Sequence, residues 1–335
     1  MIKAASEHQP TIDRPNPSDR TNIETDMWAG DLQFRVAPDL VKRLSQVSEW
    51  RALLHIIGEW VAICAAVWIC DAYWNPLLYV VAIMWIGARQ HALTILMHEA
   101  THYRVSRRKP FNDLIAELFL AWPMFVTLRA YRVSHFAHHR FINTDDDPDW
   151  IRKNNAEWKF PKSWRELSAI LLKDLIGLNS HQFLAEVSDL ATTDKKDKRP
   201  QRTYTIARVT YYLCVLGLLA YTHCLVEFLL YWVIPIFTWF KVIFRIRGIA
   251  EHYGIDERAY GASRTTLPSW FEALFVAPKN VNYHLEHHLY PSVPFYSLPQ
   301  LHSALADFPG YNDHAHITQT YWGVLKECCA VSHAP

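Results

Sequence analysis

The chain has 335 residues, enough for one or two domains of ordinary size; half of them are hydrophobic, and 14 Trp, 16 Tyr and 16 Phe gather around apolar runs, as residues that settle at bilayer interfaces do. With 34 Lys and Arg against 33 Asp and Glu, the formal charge of +1 offers no basic field for nucleic acid, and no nucleic-acid motif is present. A mean hydropathy of −0.07 fits membrane spans diluted by a large polar cap.

The first fifty residues are polar, with Pro10, Pro15 and Pro17 and no basic-then-apolar start, so no cleavable signal peptide is expected. They form a polar segment over 1–50, ahead of a membrane domain over 51–330 and a short tail at 331–335. About twenty consecutive apolar residues cross a bilayer core. Leu53 to Cys70, Leu77 to Leu96, Tyr204 to Thr222 and Leu225 to Phe244 qualify. The short breaks between the first pair and between the second pair make two helical hairpins. Neither turn contains Lys or Arg, whereas the opposite ends carry Lys42, Arg43, Arg51, Arg104, Arg107, Arg108, Lys109, Lys195, Arg199, Arg202, Arg245 and Arg247, which makes that side, with both termini, cytoplasmic.

A fifth apolar run, Phe111 to Leu128, contains Asp113, Glu117 and Pro123 and predicts an interfacial or re-entrant helix. Residues 129–202 and 245–330 form a cap, mostly helical by pattern. The expected fold is therefore all-α and integral to the membrane: four transmembrane helices in two hairpins under a helical cytosolic cap. The basic run Arg104 to Lys109 fits an anionic substrate group, and fits phospholipid headgroups better. The six cysteines lie mostly in or beside apolar segments without a CxxC pair and read as packing thiols.

Three histidine clusters carry the chemistry: His98 and His102; His135, His138 and His139; His284, His287 and His288. Residues three or four apart share a helix face, so each cluster aims its rings at one point. Neutral imidazole ligates iron, zinc or copper and is a poor ligand for calcium or magnesium. Eight such groups exceed one tetrahedral ion and suit two metals. All lie beyond the ends of spans on one side, where they can meet. Glu99, Glu251 and Glu286 are near in sequence and are candidates to orient the rings; Asp145, Asp146, Asp147 and Asp149 are further candidates, although solvated loop acids or helix caps explain most of that group better. His91, seven residues before His98, belongs either to the surroundings of the centre or to the polar interface. His8, His55, His181, His223, His302, His314, His316 and His333 are isolated and read as ordinary core or surface residues.

From about Gly87 to Pro299 this pattern resembles the membrane fatty acid desaturase superfamily, which carries HxxxH or HxxxxH, then HxxHH twice, on four membrane helices. The resemblance implies two iron ions held by the eight boxed histidines, with His252 in the place of a ninth, and dioxygen as co-substrate in removing hydrogen from a fatty acid, acyl thioester or lipid chain. Some members carry asparagine four residues before that ninth histidine; here the position is Gly248. Desaturation is the leading expectation, with hydroxylation, ketolation or decarboxylation to a terminal alkene as alternatives on the same scaffold. A non-catalytic membrane metal-binding protein is the alternative of another class. Each oxidative turnover needs two external electrons, and the chain shows neither a His-Pro-Gly-Gly haem signature nor clustered cysteines, so a ferredoxin or cytochrome b5 type donor with its reductase is an expected partner.

Overall fold

The computed structural model describes residues 34–194, 201–255 and 262–329. The first part comprises helices α1 (Pro38–Leu44), α2 (Glu49–Ala72), α3 (Pro76–Thr101), α4 (Lys109–Ala116), α5 (Leu128–Phe141), α6 (Pro148–Arg152), α7 (Trp164–Leu175) and α8 (Ser180–Asp194). There follow α9 (Gln201–Tyr221), a long interrupted helix α10 (Leu225–His252), strand β1 (Arg264–Leu267), α11 (Trp270–Phe275), α12 (His284–Leu289), α13 (Leu298–Ala306), α14 (Tyr311–His314), strand β2 (His316–Gln319) and α15 (Tyr321–Cys329).

Helices α2, α3, α9 and α10 are long and apolar enough to cross a membrane, and they contain the four stretches expected from sequence, apart from Thr222 at the end of the third. Asn75 starts α3, its side chain accepting from Leu78 N at 2.9 Å with Pro76 preorganising the first turn. Outward rows on α2 (Leu54, Ile57, Val61, Trp68) and α9 (Ile206, Val209, Leu213, Leu216) are exposed. Apolar faces that continuous are expected against lipid rather than water. Helices α3 and α10 form the buried centre, where Ile86, Leu93 and Leu96 meet Ile236 and Phe240. Gly87 permits the approach: a Cβ there would stand 3.0 Å from the Phe240 backbone nitrogen. The facing sides of these spans are thus packing surfaces at this level. Both helices run on past the apolar stretch, α3 to Thr101 and α10 to His252, which carries functional side chains out to the cap.

The fifth apolar run does not continue straight. After α4 the chain makes a π-helical turn at Glu117–Ala121 and a tight turn at Trp122–Met124, then leaves at 90° as α5. Glu117 fixes the bend, accepting from Leu128 N at 3.2 Å and from the Tyr204 hydroxyl at 2.6 Å. The acid that looked out of place in an apolar run therefore satisfies the backbone where the helix breaks.

The cap is fastened to the spans by buried charge. Arg245 of α10 reaches Asp174 of α7, Glu157 Oε2 at 2.8 Å and Gln182 Oε1 of α8 at 3.0 Å. Glu59 of α2 pairs with Arg89 of α3 at 3.3 Å and with Lys279, in the loop before α12, at 2.5 Å. Two features depart from the expected plan. Strands β1 and β2 pair in parallel, Thr265 with Ile317 and Thr266 with Thr318, β-branched residues suited to a ladder inside a cap expected to be helical. From Phe34 onward the polar N-terminal segment packs on the domain: Phe34, Val36 and Leu44 are buried with Leu285, Leu289 and Leu301, and Val36 N donates to the Tyr290 hydroxyl at 3.1 Å. Packing thus begins before the boundary expected at residue 50. Residues 1–33 and the tail at 331–335 lie outside the described residues.

Candidate metal centre

The first two histidines stand at the C-terminus of α3, a helix end with carbonyls to satisfy. Arg132 satisfies two of them, donating from Nη2 to Ala100 O and from Nε to Thr101 O, both at 3.1 Å, while Asn112 Nδ2 reaches Ala100 O at 2.9 Å. The same guanidinium pairs with Asp113 at 2.6 Å. Because Arg132 lies one turn before His135, this one side chain sets both the end of α3 and the rotation of α5. Arg264 plays the matching part at the end of α10, donating to Ala250 O and Tyr253 O at 3.1 Å on either side of His252.

Nine histidines then converge in two groups. His98, His102, His135, His139 and His287 form one; His138, His252, His284 and His288 form the other; within each, one ligand atom per residue lies within 4.8 Å of all the rest. In the first group His102 and His135 Nε2 are 2.8 Å apart, His135 and His139 Nε2 2.9 Å, and His139 and His287 Nε2 3.1 Å. In the second, His284 Nε2 lies 2.9 Å from His252 Nε2 and 3.0 Å from His288 Nε2. The groups touch where the His139 and His288 rings approach to 4.3 Å. Metal–imidazole bonds of about 2.1 Å separate neighbouring ligand atoms by about 3 Å, so the observed spacing is compatible with ligands around an ion. Hydrogen bonding alone accounts for it poorly: one N–H serves one neighbour well, yet His135, His139 and His284 Nε2 each face two, and the buried His98 Nε2 has no partner among the described residues.

All nine rings are buried. Burial, reinforced by neighbouring cations and imidazoles, holds His102, His135, His284, His287 and His288 well below the usual histidine range, and His139 at about 3. Each is therefore neutral at pH 7, the form that binds metal.

Carboxylates stand beside some of these rings. Asp147 Oδ2 lies 2.9 Å from His138 Nδ1, which turns His138 Nε2 toward its group. Glu251 Oε1 is 3.3 Å from His284 Nδ1, and Glu99 Oε1 is 3.7 Å from His98 Nδ1. Glu286 differs from expectation: its carboxylate is held by Thr265 Oγ1 at 2.6 Å and His302 Nδ1 at 2.5 Å, away from the boxed rings. The reason is helical phase, since Glu286 follows His284 by only two positions and faces the other side of α12. His302, read as isolated, is the partner of that acid. His91 is fully buried against Phe240 and joins neither group.

Residues 74–320 match the fatty acid desaturase family. The chain belongs to that family. Among its relatives, the dihydrorhizobitoxine desaturase of Bradyrhizobium elkanii is 28% identical over 262 residues, which covers 75% of this chain and 73% of that protein. The sn-1 acyl-lipid omega-3 desaturase (ferredoxin) of Nostoc sp. is 22% identical over 271 residues, 75% and 74% of the two chains. A beta-carotene ketolase of Paracoccus sp. is 32% identical over a shorter 105 residues, 31% of this chain and 43% of the ketolase. As a family member the protein is an oxidoreductase of the lipid and fatty acid desaturase type, and its apolar helices suggest membrane association.

In this desaturase-family chain the nine histidines singled out from sequence are the nine that converge. Asp147 was grouped with the loop acids, but it is 1% exposed and also accepts from Asn143 N at 3.0 Å and Asp149 N at 2.8 Å. Its signal was the Asp-Pro pair, which marks a helix start nine residues after His138. Asp145 and Asp146 are exposed, as loop acids are. Arg132 and Arg264 gave no signal, because the carbonyls they cap come from distant or folded-back backbone.

Proposed function

We propose that the protein is a membrane di-iron oxidase that uses dioxygen to desaturate a fatty acyl chain. The observation that carries the proposal is the division of nine buried imidazoles into adjacent sets of five and four. On this reading His98, His102, His135, His139 and His287 hold one iron and His138, His252, His284 and His288 the other. With iron bound, the centre supplies dioxygen activation and hydrogen removal from a saturated carbon, while the protein fixes which carbon approaches and excludes water.

The chain's own contribution is positional. Asp147 accepts from His138 Nδ1, which leaves the Nε2 lone pair facing inward, while Glu251 and Glu99 place negative charge 3.3 Å from His284 Nδ1 and 3.7 Å from His98 Nδ1. Arg132 and Arg264 hold the helix ends that carry His102 and His252. The apolar rows of α2 and α9 face lipid, the two hairpins return both termini to the cytoplasmic side, and an external donor of ferredoxin or cytochrome b5 type, with its reductase, docks on that side. The loop charges support this orientation. Ketolation has the support of the ketolase relative over under half of that protein's length; hydroxylation and decarboxylation share the same first step.

Product analysis by gas chromatography and mass spectrometry tests the reading, using protein supplied with fatty acids of several lengths, dioxygen and a reductase–ferredoxin pair. Alkene product that depends on all three components is expected. Substrate returned unchanged by iron-loaded protein would refute it.

A further inference from the structure

Beside the four-histidine group lies a cavity of about 100 Å³, room for about three waters at ~30 Å³ each. His138, His252 and His284 form one wall. Three cations, Arg152, Lys153 and Arg247, share the lining with only two carboxylates, Asp149 and Glu251. Asp149 is engaged by both Arg152 and Lys153, the latter at 3.6 Å, and Glu251 takes the Arg247 Nε–H at 2.5 Å. The cavity therefore carries one positive charge in excess. It also has a free donor fork, since the two terminal nitrogens of Arg247, a residue 8% exposed, have no hydrogen-bond partner among the described residues.

Gly248 makes room for the second cation. A Cβ at that position would stand 3.1 Å from the Trp158 ring and 3.6 Å from Lys153 Nζ, so the space a side chain would fill is occupied by an ammonium group and its aromatic neighbour. The remaining lining is His135 of the five-histidine group, with Tyr131 stacked on it, and the apolar Leu190 and Phe244. A small cavity that combines an excess of cations with apolar and aromatic side chains suits an amphiphile with a small anionic head.

We propose that this cavity is a carboxylate subsite that takes the free acid group of a fatty acid head-first, with Arg247 and Lys153 as the anion-binding pair. A planar carboxylate suits the open fork of Arg247, and the size of the cavity excludes a nucleotide-bearing thioester head. The consequence for chemistry rests on the di-iron reading: a carboxylate seated here brings the first carbons of the chain, rather than its middle, beside His138, His252 and His284.

The test is binding to metal-stripped full-length protein in detergent, followed by tryptophan fluorescence and calorimetry, with dodecanoate, dodecanol, methyl dodecanoate and acetate as probes. Dodecanoate should bind about tenfold or more tighter than the two neutral ligands of equal chain length, the difference expected of a charge-assisted hydrogen bond. Acetate should bind far more weakly than dodecanoate. Arg247→Gln should abolish the preference for the acid, Arg247→Lys should restore part of it, and Lys153→Met should reduce it. Because Arg247→Gln removes the partner of Glu251, thermal unfolding accompanies each variant, and Lys153→Met decides the matter should Arg247→Gln fail to fold. Equal affinity for acid and alcohol, a preference unchanged in the variants, or acetate binding as tightly as dodecanoate would overturn the subsite. Acid preference in a protein that takes up no iron on reconstitution would refute the di-iron reading and leave the subsite standing. Iron-loaded, active protein without that preference would do the reverse.

Discussion

Asp147→Asn isolates one of the two histidine groups. The carboxylate accepts from three donors, His138 Nδ1 at 2.9 Å, Asn143 N at 3.0 Å and Asp149 N at 2.8 Å, in a site that is 1% exposed. Asparagine keeps the shape but replaces one acceptor oxygen with an NH2 group, so at least one of these donors meets another donor. His138 then loses the charged partner that fixes its tautomer and its orientation. Loss of such a carboxylate lowers metal affinity by about 10- to 100-fold, about 1.4 to 2.8 kcal/mol. The five-histidine group has no contact with Asp147, so the effect should fall on one ion only. Metal per chain, measured by elemental mass spectrometry across a chelator series, should show one ion lost at about 10- to 100-fold lower chelator strength and the other unmoved. Asp146→Asn, in an exposed position of the same loop, is the control and should match wild type. If Asp147→Asn holds both ions through the same chelator series as wild type, the orientation argument is wrong.

Arg132→Met removes the cap on Ala100 and Thr101 and strands Asp113; with Asp113 partly exposed, the loss should be about 2 to 3 kcal/mol, read by thermal unfolding together with lower metal content. Metal-free protein should lose stability on acidification. His139 stays neutral in the fold down to about pH 3, whereas the unfolded chain takes up that proton near about 6.5, so stability falls by about 1.4 kcal/mol per pH unit below that point for this residue alone. A Tm at pH 5.5 equal to or above that at pH 7.5 would contradict it. Cysteines introduced at Asn75 and Asn143 should label from opposite sides of the membrane, and labelling of both from one side would end the proposed topology.

How much of this was legible in sequence depended on how local each signal was. The spans and the boxed histidines are written in local patterns, length of apolar run and spacing on a helix, and both sets reappear in the fold. Glu117 shows the limit of that reading: an acid in an apolar run signalled something other than a straight span, but its partners, Leu128 N and Tyr204, come from the next helix and from α9. The parallel pairing of Arg264–Leu267 with His316–Gln319 joins segments about fifty residues apart and has no hairpin signal to announce it. Glu286 is near the boxed histidines in sequence but out of phase with them on the helix, and phase decides which side of α12 it faces. The cationic cavity was hidden for a further reason: Lys153, Arg247 and Gly248 come together only once α6 lies against the end of α10.

The central claim is that the nine histidines hold two iron ions in separate sets of five and four. Metal analysis of protein purified without added metal, wild type beside His287→Ala and His252→Ala, tests it most directly. The account predicts close to two irons per chain in wild type and close to one in each variant, the retained ion differing between them in its spectroscopic signature. One ion per chain in wild type, or stoichiometric zinc with activity retained in rigorously iron-free material, would contradict it.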